Sequence, residues 1–518
     1  MIHHHVRPAL NKRHHHGGGA TATPQSLPPI IADFSDSVII PLTHQQKAVA
    51  HLTVDIAFLY HVAADNDVLL QSLSRTLVNF PVLCGRAIKL QRSDTVELVL
   101  CVPKAQHQNV DTKIYSPQWA YVPLSFHANR RADTKTNGVA PNDWFDMAVN
   151  CIPTDVCHVS SFANDESIDA SKLGDPMTRI RVSTFGSDYQ VIGISMNHSL
   201  VDAGSISLFI QAWSRQYQLC RKQLNGAEAD NHEDTERPNI TFYHPIFDID
   251  GKQNDEKVMV PNEWLKLLPN ETGGENPFVE NKASMTIETK NVSCTVYYRS
   301  RDQIEKLKNK SLEEMNRQTQ QQVEGQRGSQ TPLYVSSNDA MMGEVCEQLE
   351  ATSVLLCMDW RPVLNRLTFF GYAVLFLYLD LSSANNAPAA CRNILGWTDC
   401  NGEEGSPSVV RDAKFVMWKM QNETKQGRTD LIWNSWTDFF TLHDKEHNGI
   451  RRGENFAEME CCPHDMLMSE EMCRARVDVA RRGLSYTIIF PQPNRGVRVY
   501  FFGPSEVGLS LQAEVYRI

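Results

Sequence analysis

The group best placed to do chemistry in this sequence is a histidine at the end of a β-prone run. Val191, Ile192 and Ile194 form a short apolar strand pattern, His198 follows, and Asp202 comes four residues later. Ile206, Phe209, Ile210, Trp213 and Tyr217 then recur at helical spacing. A strand that delivers a histidine to a turn holds an imidazole in a fixed place with one face open. Such a group accepts a proton near neutral pH. Taken alone, His198 reads more readily as a half-buried structural histidine. Asp202 reads either as a catalytic carboxylate or as the partner that fixes the turn, because on a turn a residue four positions on need not face the same cavity.

Other chemistries find little support. There is no Gly-x-Ser-x-Gly elbow, phosphate loop, dinucleotide fingerprint or metal-ligand spacing. His443 and His447 lie four apart without a third ligand and read as surface residues. Ser336 and Asp339 have capping-box spacing, so Ser336 and Asn338 read first as a helix start, although a helix N-terminus also suits a phosphate. Lys306, Lys308 and Lys310 read as a solvated helix face.

The bulk properties set limits. The chain has 518 residues, 42% hydrophobic and 21% charged, which suits two or three globular domains. A net charge of −11 argues against nucleic acid or an anionic membrane as the main partner. No apolar run is long enough to span a bilayer, and the N-terminus has no apolar core of a secretory signal. The 13 cysteines are scattered, with Cys461 and Cys462 the one adjacent pair, and read as buried free thiols of a cytoplasmic protein.

The elements around the histidine divide the chain into four parts. Residues 1–29, rich in His and Gly, read as a disordered tail. Residues 30–220 form an N-terminal domain. In it a helix begins near Asp67, presents Leu69, Leu70, Leu73 and Leu77, and stops at Asn79-Phe80-Pro81. Residues 221–285 lack an apolar period and read as a crossover linker. Residues 286–518 form a C-terminal domain. It has a strand at 295–298, a helix at 302–310, a Gln-rich loop at 315–330, a strand at 355–359 and a helix at 409–421. A strand at 431–436 and a closing hairpin at 484–502 complete it. Strands and helices mix without strict alternation, so the expected class is α+β in two domains.

Several segments carry a resemblance. His198-Ser-Leu-Val-Asp202 matches the HxxxD motif of the BAHD acyltransferases. Phe80-Pro-Val-Leu-Cys-Gly-Arg86 resembles that family's FPxLAGR segment, and Ser336-Ser-Asn-Asp-Ala340 its STNDAL helix start. Asp359-Trp-Arg361 with Phe370-Gly-Tyr-Ala-Val374 is similar to its DxR and FGNAV segments, and Asn434-Ser-Trp436 to TSW. These appear in family order from about residue 40 to the C-terminus. The departures are Ala203 for Gly, Tyr372 for Asn, Asn434 for Thr, and no DFGWG, near whose place stands Asp444-Lys-Glu-His-Asn-Gly449.

The resemblance implies two similar mixed-sheet domains, as in chloramphenicol acetyltransferase, with an active-site channel between them. It implies a cytoplasmic, monomeric enzyme of secondary metabolism that moves an acyl group from acyl-CoA to an alcohol or amine. Acyl-CoA would be a co-substrate, with no permanent cofactor and no metal. His198 would be the general base, Asp202 an orienting group paired with Arg361, and Trp436 a support. Asn434 would donate its amide to the oxyanion, and Ser336 and Asn338 would stand on the coenzyme A side. Two other readings compete: an inactive relative that keeps the fold and binds a ligand or partner, and a condensation-type enzyme that uses carrier-bound thioesters.

Overall fold

A computed structural model describes residues 2–7, 37–42, 46, 49–50, 52–60, 63–92, 95–103, 120–129, 151–153, 156, 174–185, 189–225, 291–322, 335–351, 353–359, 361, 369–380, 430–437, 465–481, 483–492, 496–511 and 514–515. These residues form two compact units. The first holds the described residues up to 225 together with 369–373 and 465–472, and the second holds the rest.

The first unit is built on a six-stranded mixed sheet. Its strands are β1 (Ile2–Val6), β3 (Thr53–Tyr60), β6 (Val122–Asn129), β7 (Thr178–Phe185), β8 (Tyr189–Asn197) and β13 (Asp465–Met468), in the spatial order β1-β6-β7-β8-β3-β13. Only β6 and β7 run parallel. A small antiparallel sheet joins β2 (Ser37–Pro41), β4 (Arg86–Arg92) and β5 (Thr95–Pro103). Two helices, α1 (Asn66–Leu77) and α2 (Ala203–Leu224), pack on each other. Asp65 caps α1 by accepting from the Asp67 and Val68 amides, so the helix starts one residue before Asp67. Leu69, Leu73 and Leu77 are buried, and the Trp213 indole of α2 donates to Ser72 Oγ at 3.0 Å.

The strands obey the period-two rule, but β3 and β8 are buried on both faces. Val54, Ile56, Phe58 and Tyr60 share one face of β3. Asp55 lies on the other and accepts from the hydroxyls of Thr53, Ser195 and Ser469. Where β8 passes Cys151, only a glycine fits: a Cβ on Gly193 would stand 2.1 Å from the Cys151 carbonyl oxygen.

The second unit has a seven-stranded mixed sheet. Its strands are β9 (Val292–Arg299), β10 (Ser353–Asp359), β11 (Val374–Asp380), β12 (Asp430–Ser435), β14 (Leu484–Pro491), β15 (Val497–Pro504) and β16 (Glu514–Val515), in the order β11-β10-β12-β14-β15-β9-β16. β10, β12 and β14 run parallel to one another. Around them stand α3 (Arg301–Gln322), α4 (Ser337–Leu349), the later part of α5 (Glu470–Arg481) and α6 (Ser505–Ser510). Met342, Val345 and Cys346 of α4 bury their side chains with Val354, Leu431, Trp433, Ile489 and Phe501. Burial pushes the Cys346 thiol up to about 12.

Four sequence expectations need correction. Ile2–Val6 is not part of a disordered tail. It adds an edge strand to β6, with His5 stacked on Tyr121 at 4.1 Å. The first residues assigned to the linker, to Leu224, complete α2, and 226–285 lie outside the described residues. The Gln-rich loop begins late, because α3 continues to Gln322, glutamine being a good helix former. Residues 286–518 are not one contiguous domain, because β13 pairs with β3 and residues 369–373 dock on α2. The helix expected at 409–421, the 444–449 stretch, His443, His447, Cys461 and Cys462 lie outside the described residues.

Candidate active site

The turn after β8 is set by Asn197, a fully buried residue. Its amide nitrogen donates to the Ala50 carbonyl at 2.8 Å, while its oxygen accepts from the Ser199 amide (2.9 Å) and hydroxyl (2.6 Å). This side-chain bond to the backbone two residues on is the local device that turns the chain. His198 N–H donates to the Leu52 carbonyl at 2.9 Å, and Leu200 N–H to Asn197 O at 3.0 Å. The backbone under the histidine is therefore tied on both sides.

His198 is half-buried, and its Nδ1 lies 2.8 Å from the Val201 carbonyl oxygen. A carbonyl only accepts, so Nδ1 carries the proton in this bond and the lone pair of the neutral ring is on Nε2. The Tyr372 ring stands edge-on to the imidazole, with centroids 5.4 Å apart at 71°.

Asp202 is the N-cap of α2. Its backbone is extended, its Oδ1 accepts from the Ser205 amide at 2.8 Å, and its side chain is buried. Its Oδ2 accepts from the Ala373 amide at 2.7 Å. Ser205 Oγ donates to the Gly371 carbonyl at 2.8 Å and accepts from the Gly371 amide at 2.9 Å. Phe370 packs edge-on against Phe80 at 5.0 Å, and Phe80 in turn against Phe209 at 5.5 Å. The first residues of α2 thus hold residues 370–373 against the histidine turn. Gly371 permits the approach with φ +153°, and a Cβ there would meet the Phe369 ring at 2.8 Å.

The remaining candidates lie in the second unit. Arg361 is buried, and its guanidinium donates to Asp359 Oδ1 at 2.8 Å, closing a two-residue loop. Ser336 and Asp339 form the capping box of α4, each side chain accepting from the other residue's amide. Asn338 Oδ1 accepts from the Trp433 indole at 2.8 Å. Asn434 Nδ2 donates to the Tyr486 hydroxyl at 3.2 Å, and its Oδ1 accepts from the Trp436 indole at 3.1 Å. Burial raises the Tyr486 phenol above its ordinary range, which keeps it neutral beside the amide. Among the described residues no group of His, Cys, Asp and Glu side chains is arranged to hold a metal ion.

The sequence singled out His198 and Asp202 but not Asn197 and Ser205, whose side chains bond within and beside the same turn. A weak signal existed for both: Asn directly before the histidine suits a turn, and Ser three residues after an N-cap puts a hydroxyl in the first helical turn.

Known proteins resemble this chain in sequence and fold. A family model described as Transferase family matches residues 147–368, which include His198, Asp202, Ser336 and Arg361. A Salvia splendens enzyme, pelargonidin 3-O-(6-caffeoylglucoside) 5-O-(6-O-malonylglucoside) 4'''-malonyltransferase, is 26% identical over 194 residues. That match takes in 38% of this chain and spans only 36% of the relative's own length. F. graminearum TRI101, solved with coenzyme A and deoxynivalenol, superposes with a TM-score of 0.51 at 12% identity, over 92% of this chain and 97% of that one. The first condensation domain of the calcium-dependent antibiotic synthetase gives 0.50 at 12% identity, over 92% and 94%. The two structural likenesses identify the fold as the chloramphenicol acetyltransferase-like α+β type, with a mixed sheet in each unit. The family model lies across the turn that carries His198 and Asp202, and over that part this chain is similar to the matched Transferase family; Tyr372 and Asn434 stand at two of the positions where its sequence departs from the BAHD motifs it resembles.

Proposed function

We propose that this protein transfers an acyl group from acyl-coenzyme A to a hydroxyl or amine of a small-molecule acceptor, with His198 as general base. The observation that carries the reading is the bond from His198 Nδ1 to the Val201 carbonyl, which leaves Nε2 as the basic nitrogen of the neutral ring. The acceptor oxygen or nitrogen attacks the thioester carbonyl as its proton passes to Nε2. A C–O or C–N bond forms, the tetrahedral intermediate collapses, and the C–S bond breaks. The coenzyme A thiolate takes the proton back from the imidazolium and leaves as the free thiol. A thioester is already activated, so no enzyme nucleophile is required.

In this reading Asp202 orients the turn and does not itself exchange a proton, since its two oxygens serve backbone amides. The second N–H of Asn434 Nδ2 is the donor to the developing oxyanion. Trp436 and Arg361 keep the Asn434 and Asp359 segments in place. The start of α4, at Ser336 and Asn338, suits a phosphate of coenzyme A. The buried free thiols among the described residues favour a reducing compartment, in keeping with a cytoplasmic monomer.

The test is a coenzyme A-release screen of acyl donors against small alcohols, glycosides and amines. Malonyl-CoA is the first donor to try, because the Salvia splendens relative is a malonyltransferase. Acceptor-dependent thiol release above background thioester hydrolysis is expected. Binding of coenzyme A without acceptor-dependent release from any donor would overturn the enzymatic reading.

A further inference from the structure

We propose that Arg476 is a specificity-determining residue that receives a carboxylate carried by the acyl donor or by the acceptor. Its kinetic consequence rests on the acyltransferase reading; its setting rests on geometry alone. Met472, Cys473, Val477 and Ala480 form the buried stripe of α5, and Arg476 lies in the middle of that stripe, 6% exposed. An arginine so enclosed ordinarily has a partner. The other three buried arginines among the described residues do: Arg86 donates to the Cys84, Gly85 and Tyr121 carbonyls, Arg299 to Glu344 and Arg361 to Asp359. Arg476 makes no hydrogen bond or ion pair with any described residue, and its Nε is enclosed without an acceptor. The nearest carboxylate along the helix, Asp478, is exposed and paired with Arg481 at 2.8 Å.

The contact Arg476 does make is with Tyr486, whose ring centroid lies 4.8 Å from the guanidinium carbon. A ring contact engages the charge and leaves the N–H fork for an acceptor. The acidic groups beside it supply no counter-charge, since burial pushes the Cys357 thiol up to about 12 and raises the Tyr486 phenol. A guanidinium enclosed without an anion is costly, and a ligand that brings the anion offsets the cost. The surroundings say which ligand. Cys357, Asn434 and Tyr486 lie on the neighbouring strands β10, β12 and β14, on the face opposite to Leu356, Trp433 and Ile489, which pack on α4. The hydroxyl of the same Tyr486 accepts from Asn434 Nδ2 at 3.2 Å. A group held at Arg476 is therefore one tyrosine ring away from the amide read as the oxyanion donor. The planar fork matches a planar carboxylate in a two-point pair, and one guanidinium balances its one charge.

The experiment compares wild type with Arg476→Met and Arg476→Lys in the full-length protein. The kcat/KM is measured for malonyl-CoA and succinyl-CoA against acetyl-CoA, and for a hydroxy acid against its amide as acceptor, lactate and lactamide. In Arg476→Met the carboxylated-to-neutral ratio should fall about 10- to 100-fold, the scale of a hydrogen-bonded pair with a charged group. The pair that shows the fall tells whether the acyl chain or the acceptor brings the carboxylate. Arg476→Lys keeps the charge without the fork, should lower the same ratio, and decides the matter if Arg476→Met does not fold. Free coenzyme A, followed by calorimetry, should bind with wild-type affinity; weaker binding would assign the guanidinium to a phosphate and overturn the proposal. Without ligand, Arg476→Met should melt no lower than wild type, because an enclosed unpaired charge is removed. An unchanged ratio in a folded variant would overturn the proposal, and a lowered melt beside it would mark a structural arginine. If the wild type turns over no substrate, the acyltransferase reading fails and ¹⁵N spectra of arginine-labelled protein decide. The Arg476 Nε signal, assigned by its loss in Arg476→Met, should move further with malonyl-CoA than with acetyl-CoA, or with lactate than with lactamide. Equal movement, or none, would overturn the proposal.

Discussion

Replacing Asp202 by alanine removes two acceptors at once. The first serves the Ser205 amide as helix cap, and losing such a cap costs about 1 kcal/mol. The second serves the Ala373 amide, which is buried, and a buried donor left without an acceptor costs about 1–3 kcal/mol. Together they amount to about 2–4 kcal/mol, a large share of the roughly 5–15 kcal/mol by which proteins are stable. The melting temperature of the first unit should fall by roughly 5–12 °C. Asp202→Asn separates the two effects. Asparagine caps a helix as well as aspartate does, but its single oxygen cannot serve both amides, so this variant should lose only the second contribution of about 1–3 kcal/mol. Thermal and urea unfolding monitored by circular dichroism, with acyl transfer measured on the same samples, provides the assay. Activity should drop in proportion to the loosening of the histidine turn. An Asp202→Ala protein that melts with wild type and yet has no activity would refute the reasoning and give the carboxylate a direct part in the chemistry.

Gly371→Ala should destabilise the first unit by about 1–3 kcal/mol, because its left-handed backbone and the Phe369 ring at 2.8 Å leave no place for a Cβ; an unchanged melt would contradict the docking of residues 369–373. A pH effect is expected at the N-terminal strand. The His5 imidazole is lowered from its ordinary 6.5 by burial first and then by Arg7, Arg86, Arg179 and His3. His127 is lowered by burial, Arg181, the α-amino group and His3. The docked strand therefore keeps these rings neutral while the released strand takes up more protons, so docking is favoured above 6.5 and is lost as pH falls through the lowered values. Hydrogen exchange at residues 2–6, corrected for intrinsic rates, should show the strand opening toward acid, and protection that does not change with pH would contradict this.

The histidine turn was legible because the strand and helix that flank it carry local sequence patterns. β8 announces itself by Val191, Ile192 and Ile194, α2 by the spacing from Ile206 to Tyr217, and His198 and Asp202 fall in the gap between them. The capping box at Ser336 and Asp339 was legible for the same reason. What escaped depends on partners far along the chain. Ala373, 171 residues from Asp202, supplies the second amide to its carboxylate, so the two readings left open for that residue were not separable by spacing. β13 has four residues, too few for a periodic signal, and its place beside β3 follows from pairing with a strand some four hundred residues earlier. β1 was hidden by its composition: three histidines in a row resemble a polar tail, and only the open edge of β6 makes a strand of them. The contact between Tyr372 and His198 was invisible for a similar reason, because a motif match records which residue is replaced and not what the new ring touches.

The central claim is that His198 takes the acceptor's proton, and the most direct measurement compares wild type with His198→Ala on a verified donor and acceptor pair. General-base catalysis is typically worth about 10²–10⁴-fold in rate, and turnover should fall by that factor. Coenzyme A binding, measured by calorimetry on the same protein, should be nearly unchanged, and the wild-type rate should rise with pH as the neutral imidazole becomes populated. Equal turnover by the two proteins would contradict the account.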